Sequence, residues 1–254
     1  MSYILETRSL TKQFGGITAN LNIDIHIEEG KVVGLIGPNG SGKTTFINQV
    51  SGIIPPTSGE IFFRNTKISG LPACRIASLG VARTYQRIQL FDRMNTIENI
   101  LVSRRKFITS TILDVAFNTR KLRQEEKEQY DKAMELLALF GLEKDAEKLP
   151  SNLPYGKRRA VEIARALALE PSLLLLDEPA AGMTKEEFKE ILHIMNLLKE
   201  RNITILLVEH TMEFIRQAVE WVYVLNFGQV IAQGPFDEIE RDEAVIAAYL
   251  GDEE

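Results

Sequence analysis

From Leu21 to Ile27 the chain alternates apolar and polar residues without a break, the period-two pattern of a strand with one face in water. Ile4-Leu5-Glu6-Thr7-Arg8-Ser9-Leu10 predicts a strand before it, and Glu28-Glu29-Gly30 predicts the turn that follows. Lys31-Val32-Val33-Gly34-Leu35-Ile36 and Thr204-Ile205-Leu206-Leu207-Val208 predict buried strands, and Leu173-Leu174-Leu175-Leu176 is apolar throughout. Such runs suit parallel strands covered on both faces. Glu60-Ile61-Phe62-Phe63-Arg64 and Val81-Ala82-Arg83-Thr84-Tyr85 predict short strands, the second ending at Gln86, and 221–227 with 229–232 predict a hairpin around Gly228. Between about residues 87 and 170 the pattern turns helical. Tyr130, Ala133, Met134, Leu137 and Phe140 share one face of a helix that Gly141 is placed to stop. A second long helix is predicted over 185–201, short helices close the chain, and the acidic Asp252-Glu253-Glu254 is expected to fray. The expectation is an α/β chain forming one domain over 1–254, with a helical insertion at about 87–170.

Composition adds limits. The 254 residues are 44% hydrophobic and 26% charged, as in ordinary globular proteins. The net charge of −5 does not favour general nucleic-acid binding. Cys74 is the single cysteine, which excludes an intrachain disulfide and fits a reducing compartment. No apolar run reaches the ~20 residues of a membrane-spanning helix, and no signal peptide is visible. A cytosolic protein, or one held to a membrane by partners, is expected. One basic stretch stands out: 103–123 carries Arg104, Arg105, Lys106, Arg120, Lys121 and Arg123 against Asp114 alone. A solvated surface is the expected reading, ahead of contact with lipid headgroups or an acidic partner.

The chemistry begins at Gly37-Pro38-Asn39-Gly40-Ser41-Gly42-Lys43-Thr44-Thr45, which fits the phosphate-loop pattern G-x-x-x-x-G-K-[ST]. Its glycines let the backbone turn several N–H groups toward one anion. Lys43 supplies a mobile positive charge for the β- and γ-phosphates, and the Thr44 hydroxyl can ligate Mg²⁺. An apolar strand precedes the loop and a helix follows it, whose N-terminus favours phosphate. The 173–176 run ends in Asp177-Glu178. Ligands of open parallel sheets lie beyond the carboxyl ends of strands. Asp177 can therefore hold the metal, while Glu178 polarises an attacking water. A helix N-cap is the alternative for this acidic pair taken alone. Gln86 and His210 also close predicted strands. Phe14, beside Gly15-Gly16, suits stacking on a base or a place in the core equally well.

These residues resemble the ATP-binding cassette (ABC) family. Leu153-Pro154-Tyr155-Gly156-Lys157, with the helix after it, is similar to the family's signature motif, Gln86 to its Q-loop glutamine, His210 to its switch histidine and Phe14 to its adenine-stacking aromatic. A narrower likeness lies in Arg83-Thr84-Tyr85-Gln86-Arg87, Asp177-Glu178-Pro179-Ala180-Ala181-Gly182, Val208-Glu209-His210 and Ala248-Tyr249-Leu250-Gly251. Those runs resemble the ATPase subunits of branched-chain amino acid importers. The resemblance implies a RecA-like mixed and parallel sheet core, an antiparallel β subdomain and an inserted helical subdomain. It implies ATP and Mg²⁺ as cofactors, with Thr44, Gln86 and Asp177 at the metal and with residues 37–45 and Phe14 on the nucleotide. Catalysis would rest on Glu178, His210, Lys43 and Gln86. Pro154, Tyr155, Gly156 and Lys157 would serve the opposite ATP in trans. The implied partners are two membrane permeases, a second ABC ATPase (a heterodimer ahead of a homodimer) and, indirectly, an extracytoplasmic solute-binding protein. The implied place is the cytoplasmic face of the cell membrane. Urea or amide import, and a soluble non-transport ABC ATPase, are the alternatives. Three departures from the wider family are Pro154 in place of the signature serine, Thr184 where Asp or Asn is usual, and Thr211 where Asp is usual.

Overall fold

The computed structural model describes residues 3–250, so the expectation for 252–254, and Gly251 of the 248–251 run, lie outside the described residues. The chain divides into two compact units. Arg87–Pro171 form one, and the flanking segments together form the other.

The larger unit holds two sheets. Its strands are β1 (Tyr3–Phe14), β2 (Ile17–Ile23), β3 (His26–Glu28), β4 (Val32–Ile36), β5 (Ser58–Phe63), β6 (Thr66–Lys67), β7 (Val81–Arg83), β8 (Leu173–Asp177), β9 (Thr204–Val208), β10 (Trp221–Asn226) and β11 (Gln229–Gly234). The first sheet has the order β2-β1-β5-β6 with β3 also on β1, and every pairing is antiparallel. The second runs β11-β10-β4-β9-β8-β7 and is parallel except for the β10–β11 hairpin. Strands β4, β8 and β9 are buried along their whole length, as their mostly apolar runs predict, with Asp177 and Thr204 buried at the ends of β8 and β9. Each leucine of Leu173–Leu176 removed from water contributes roughly 1.5–3 kcal/mol.

Three strand expectations need correction. The stretch 21–27 is not one strand, because it breaks at Asp24-Ile25 between β2 and β3. Its alternation persists, but the backbone bends at Asn22 (φ 50°), matched by Ser9 in β1 (φ 46°). Side-chain bonds supplement the one backbone bond there, from the Thr7 N–H to the Ile25 carbonyl at 2.9 Å. Asp24 Oδ1 accepts from the Ser9 N–H at 2.6 Å, while the Thr7 hydroxyl donates to the Ile23 carbonyl and accepts from the Ile25 N–H, both at 2.9 Å. Strand β1 also runs on past Leu10 to Phe14, and Gly15 turns it into β2 at φ 56°. Strand β7 stops at Arg83 rather than reaching Tyr85.

The smaller unit is helical. Thr96–Arg104 starts at a reciprocal cap, in which Asn95 accepts from the Glu98 N–H and Glu98 accepts from the Asn95 N–H. Arg120–Leu139 and Tyr155–Leu167 pack with it around Ile97, Ile100, Ala133, Leu137, Val161 and Ala164. Gly141, at φ 63°, follows the end of the long helix. Tyr130 does not share the buried face with Ala133 and Leu137. It is exposed, and its neighbour Gln129 is buried instead.

The basic stretch also needs correction, since Arg104 is not on a solvated surface. It is 1% exposed. Its Nε and Nη2 donate to Gln129 Oε1 at 3.0 and 2.7 Å, and its Nη1 donates to the Ala168 carbonyl at 3.1 Å and to Glu170 at 2.8 Å. A guanidinium carries five donors in one plane, so it can be buried where acceptors surround it.

Candidate functional site

The loop 37–42 connects the carboxyl end of β4 to the helix Lys43–Val50. No side chain caps that helix, and its first turn holds no acidic residue. Its first N–H groups therefore keep their capacity for an anionic ligand. Two glycines are obligatory for close packing. A Cβ at Gly37 would meet the Leu225 carbonyl at 2.1 Å, and one at Gly42 would meet Asn20 Nδ2 at 2.4 Å and the Ala19 carbonyl at 2.5 Å. Lys43 is buried, and its Nζ donates to the carbonyls of Gly37 (2.7 Å) and Pro38 (2.8 Å) and to the Ser41 hydroxyl (3.3 Å). The ammonium thus lies within the curve of the loop, where a phosphate held by the loop amides would meet it. Asn39, Gly40 and Thr44 are exposed, and Thr45 is half-buried.

The carboxyl ends of β8 and β9 bring the acids and the histidine together. Glu178 follows β8 in the left-handed region, at φ 47°, an uncommon conformation for a non-glycine residue. Its N–H donates to the Val208 carbonyl at 2.9 Å. Its Oε2 accepts from Gln86 Nε2 at 2.9 Å, and its Oε1 lies 3.9 Å from His210 Nδ1. Gln86, Glu178 and His210 therefore stand within reach of one another. The acidic pair is not a helix N-cap. The next helix, Lys185–Glu200, starts later and is capped by Thr184, whose hydroxyl accepts from the Glu187 N–H while Glu187 accepts from the Thr184 N–H. Threonine thus performs at 184 the capping that Asp or Asn performs well. Phe14 ends β1 with 49% of its surface exposed, so it is not a core residue, and Lys12 Nζ lies 5.1 Å from its ring centroid.

Three residues that the sequence did not single out organise this site. Arg83, at the end of β7, pairs with Asp177 (Nη2 to Oδ2, 3.0 Å), and both side chains are buried. The same guanidinium donates to Asn48 Oδ1 at 2.6 Å and to the Ser51 hydroxyl at 3.1 Å, which ties β8 to the far end of the loop helix. Asn20 is buried and donates to the Gly42 carbonyl at 3.1 Å. Glu209 is fully buried. Its Oε1 accepts from the Ala180 N–H at 2.8 Å, and its Oε2 accepts from the N–H groups of His210 and Thr211 at 3.0 and 3.3 Å. One carboxylate thus fixes both the turn after Glu178 and the backbone that carries His210. The available signal for Arg83 and Glu209 was a charged residue at the carboxyl end of an apolar strand, where Asp177 also sits.

Glu209→Gln sets an amide N–H₂ against backbone N–H donors. It is expected to cost about 1–3 kcal/mol of stability and to lower ATP turnover with it. Denaturant unfolding and steady-state turnover measured side by side check this, and unchanged stability would remove Glu209 from the scaffold.

Pro154, Tyr155, Gly156 and Lys157 lie in the helical unit. Pro154 is the N-cap of Tyr155–Leu167 and gives it no side-chain cap bond. Lys157 Nζ donates to Asp145 Oδ2 at 2.6 Å, and the hydrogen bonds from Lys148 and Lys157 hold the Asp145 carboxyl below its ordinary value. Further along the helix Arg159 and Glu162 form a buried pair at 2.8 Å, and Glu162 also accepts from the Gln89 N–H. As for a metal, no group of three or more His, Cys, Asp and Glu side chains among the described residues is arranged to hold one. Thr44 carries a hydroxyl, Asp177 a carboxylate and Gln86 an amide, hard oxygen donors of the kind Mg²⁺ takes when phosphates supply its other ligands.

Residues 21–181 match the family described as ABC transporter, and 229–254 match that described as branched-chain amino acid ATP-binding cassette transporter. The chain is 39% identical over 250 residues, 98% of each chain, to the high-affinity branched-chain amino acid transport ATP-binding protein LivG of Salmonella typhimurium. It is 38% identical, with the same shares covered, to the protein BraF of Pseudomonas aeruginosa, which bears the same description. Among solved structures, an ATP-binding cassette of an ABC transporter in its ADP conformation superposes with a TM-score of 0.85 at 30% identity, over 99% of this chain and 100% of that one. A nucleotide-free cassette does so with a TM-score of 0.83 at 30% identity, over 97% and 98%.

Proposed function

The chain belongs to the ABC transporter family, and from that premise we propose that it is the ATP-hydrolysing subunit of an importer that carries branched-chain amino acids across the cytoplasmic membrane. The observation that carries the solute class is the match over 229–254, outside the stretch that defines the wider family. Relatives named as branched-chain amino acid transport proteins, alike over the whole chain, agree with it. They set urea or amide import, and a soluble non-transport role, behind this reading.

In this reading Lys43 and the loop amides of residues 37–45 take the phosphates, and Phe14 stacks on the adenine. Thr44, Asp177 and Gln86 would hold Mg²⁺, whose charge would offset that on the β- and γ-phosphates. Glu178 takes a proton from water, and the water oxygen attacks the γ-phosphorus. The bond to the β–γ bridging oxygen then breaks, and its electron pair leaves with ADP. His210 contacts the γ-phosphate, and Glu209 aims its backbone. Most of the work is positioning and charge stabilisation.

Pro154, Tyr155, Gly156 and Lys157 would face the nucleotide of a second cassette. Pro154 has neither hydroxyl nor N–H to offer, so we read the assembly as a heterodimer with unequal sites. Two membrane permeases would hold the pair at the cytoplasmic face, and a solute-binding protein would feed them from outside. No helix among the described residues is long and apolar enough to cross a membrane, which agrees with a peripheral subunit.

The test is purification of the tagged chain from gently solubilised membranes of its own cells, with leucine uptake measured in cells carrying Lys43→Ala. Two hydrophobic permeases, a second and different cassette, and lost leucine uptake are expected. Soluble partners alone, or undiminished uptake, would overturn the proposal.

A further inference from the structure

Within the helical unit, the short helix Ile112–Ala116 and the residue after it turn large apolar side chains to water. Ile112 is 87% exposed and Phe117 77%, with Leu113 and Val115 more than half exposed. This segment is held in place by carboxylates. Glu125 accepts from the N–H and hydroxyl of both Thr109 and Ser110, and these bonds pull its carboxyl down to about 2. Asp114 accepts from the Thr111 N–H, the Thr111 hydroxyl and the Thr119 hydroxyl. The segment is therefore pinned at Thr109–Ser110 and at Thr119, with its apolar side chains outward. Exposed cations flank it: Arg105 and Lys106 before, Arg120, Lys121 and Arg123 after. Of the nearby acids, Asp114 and Glu125 are occupied by the hydroxyls and backbone they pin, and Glu126 is exposed; among the flanking cations Lys121 lies 3.9 Å from Glu125 and Lys106 Nζ donates to the Leu169 carbonyl at 3.3 Å.

We propose that residues 111–123 form a membrane-surface contact that inserts Ile112, Leu113, Val115 and Phe117 at the headgroup boundary of an anionic phospholipid bilayer, with the flanking arginines and lysines on the phosphates. Charge decides the occupant. Apolar residues bordered by Lys and Arg are the composition of a bilayer-surface contact. A protein interface is depleted in charge at its core and, of the two cations, enriches Arg but depletes Lys; here Lys106 and Lys121 stand among the cations that border the apolar side chains on both sides. The chain as a whole carries −5, so the cations here are a local concentration and not a general property.

The experiment is vesicle flotation of the full chain, with phosphatidylcholine alone and with phosphatidylcholine containing phosphatidylglycerol. Binding to the anionic vesicles, weakened by added salt, is expected. Ile112→Ser with Phe117→Ser, and separately Arg120→Glu with Arg123→Glu, should each lower the bound-to-free ratio by about tenfold. Phe227→Ser, at a still more exposed phenylalanine in the other unit, should leave it unchanged. All variants should keep the melting temperature and ATP turnover of the parent chain. Equal binding to neutral vesicles, no binding to anionic ones, or binding untouched by the serine pair would overturn the proposal. Binding only to vesicles that contain the permeases would overturn it too, and would assign the surface to a protein partner.

Discussion

Glu178→Gln is expected to leave ATP binding intact and to lower turnover by about 10²–10⁴-fold, the range associated with a positioned general base. The substitution keeps the side chain's length and its ability to accept from Gln86 Nε2, which now lies 2.9 Å away. It removes the charge that would draw a proton from water. Lys43 bonds to the Gly37 and Pro38 carbonyls, which the substitution does not alter. Equilibrium binding of a fluorescent ATP analogue and single-turnover phosphate release separate the two effects. If binding fell in step with turnover, Glu178 would be a ligand-holding residue. If turnover stayed within a few-fold of the parent, the base would have to be sought elsewhere, with His210, 3.9 Å away, as the first candidate.

Arg83→Leu is expected to be the most destabilising single change at the site. Arg83 and Asp177 form a buried pair, and removing one member leaves a charge without its partner at a cost of about 3–5 kcal/mol. Asn48 and the Ser51 hydroxyl lose a donor as well. If Asp177 holds Mg²⁺, the ion replaces the missing positive charge. The rise in melting temperature on adding Mg·ADP should then be larger for Arg83→Leu than for the parent. Thermal unfolding with ADP alone and with Mg·ADP reads this directly. Equal ligand-induced rises in the two proteins would show that the metal and Arg83 do not share the carboxylate.

What the sequence revealed follows from what its patterns can encode. Runs such as Leu173–Leu176 announce a strand covered on both faces because no polar atom interrupts them, and β8 is buried throughout. The stretch 21–27 misled because side-chain alternation is blind to backbone φ. Asn22 takes φ 50° with the alternation undisturbed, and only the Thr7 and Asp24 side-chain bonds account for the break. Arg104 was illegible for a related reason. An arginine in a basic run carries no mark of the acceptors that will surround it, since Gln129, Ala168 and Glu170 lie far along the chain. Glu209 stood in view beside His210, but its role depends on the Ala180 N–H, which the fold alone brings to it.

Arg104 also says something about mechanics. An apolar layer between helices is held by interdigitated packing, in which no single contact has a required direction. A planar fork that grips Gln129 from one side and the Ala168 carbonyl from another has one fitting position. The helices Thr96–Arg104 and Arg120–Leu139, and the chain just past Tyr155–Leu167, are thereby pinned against shear at a point inside the unit. A push delivered to one of these helices is passed on to the others as displacement and is not spent in deformation, so the unit behaves as a stiff lever.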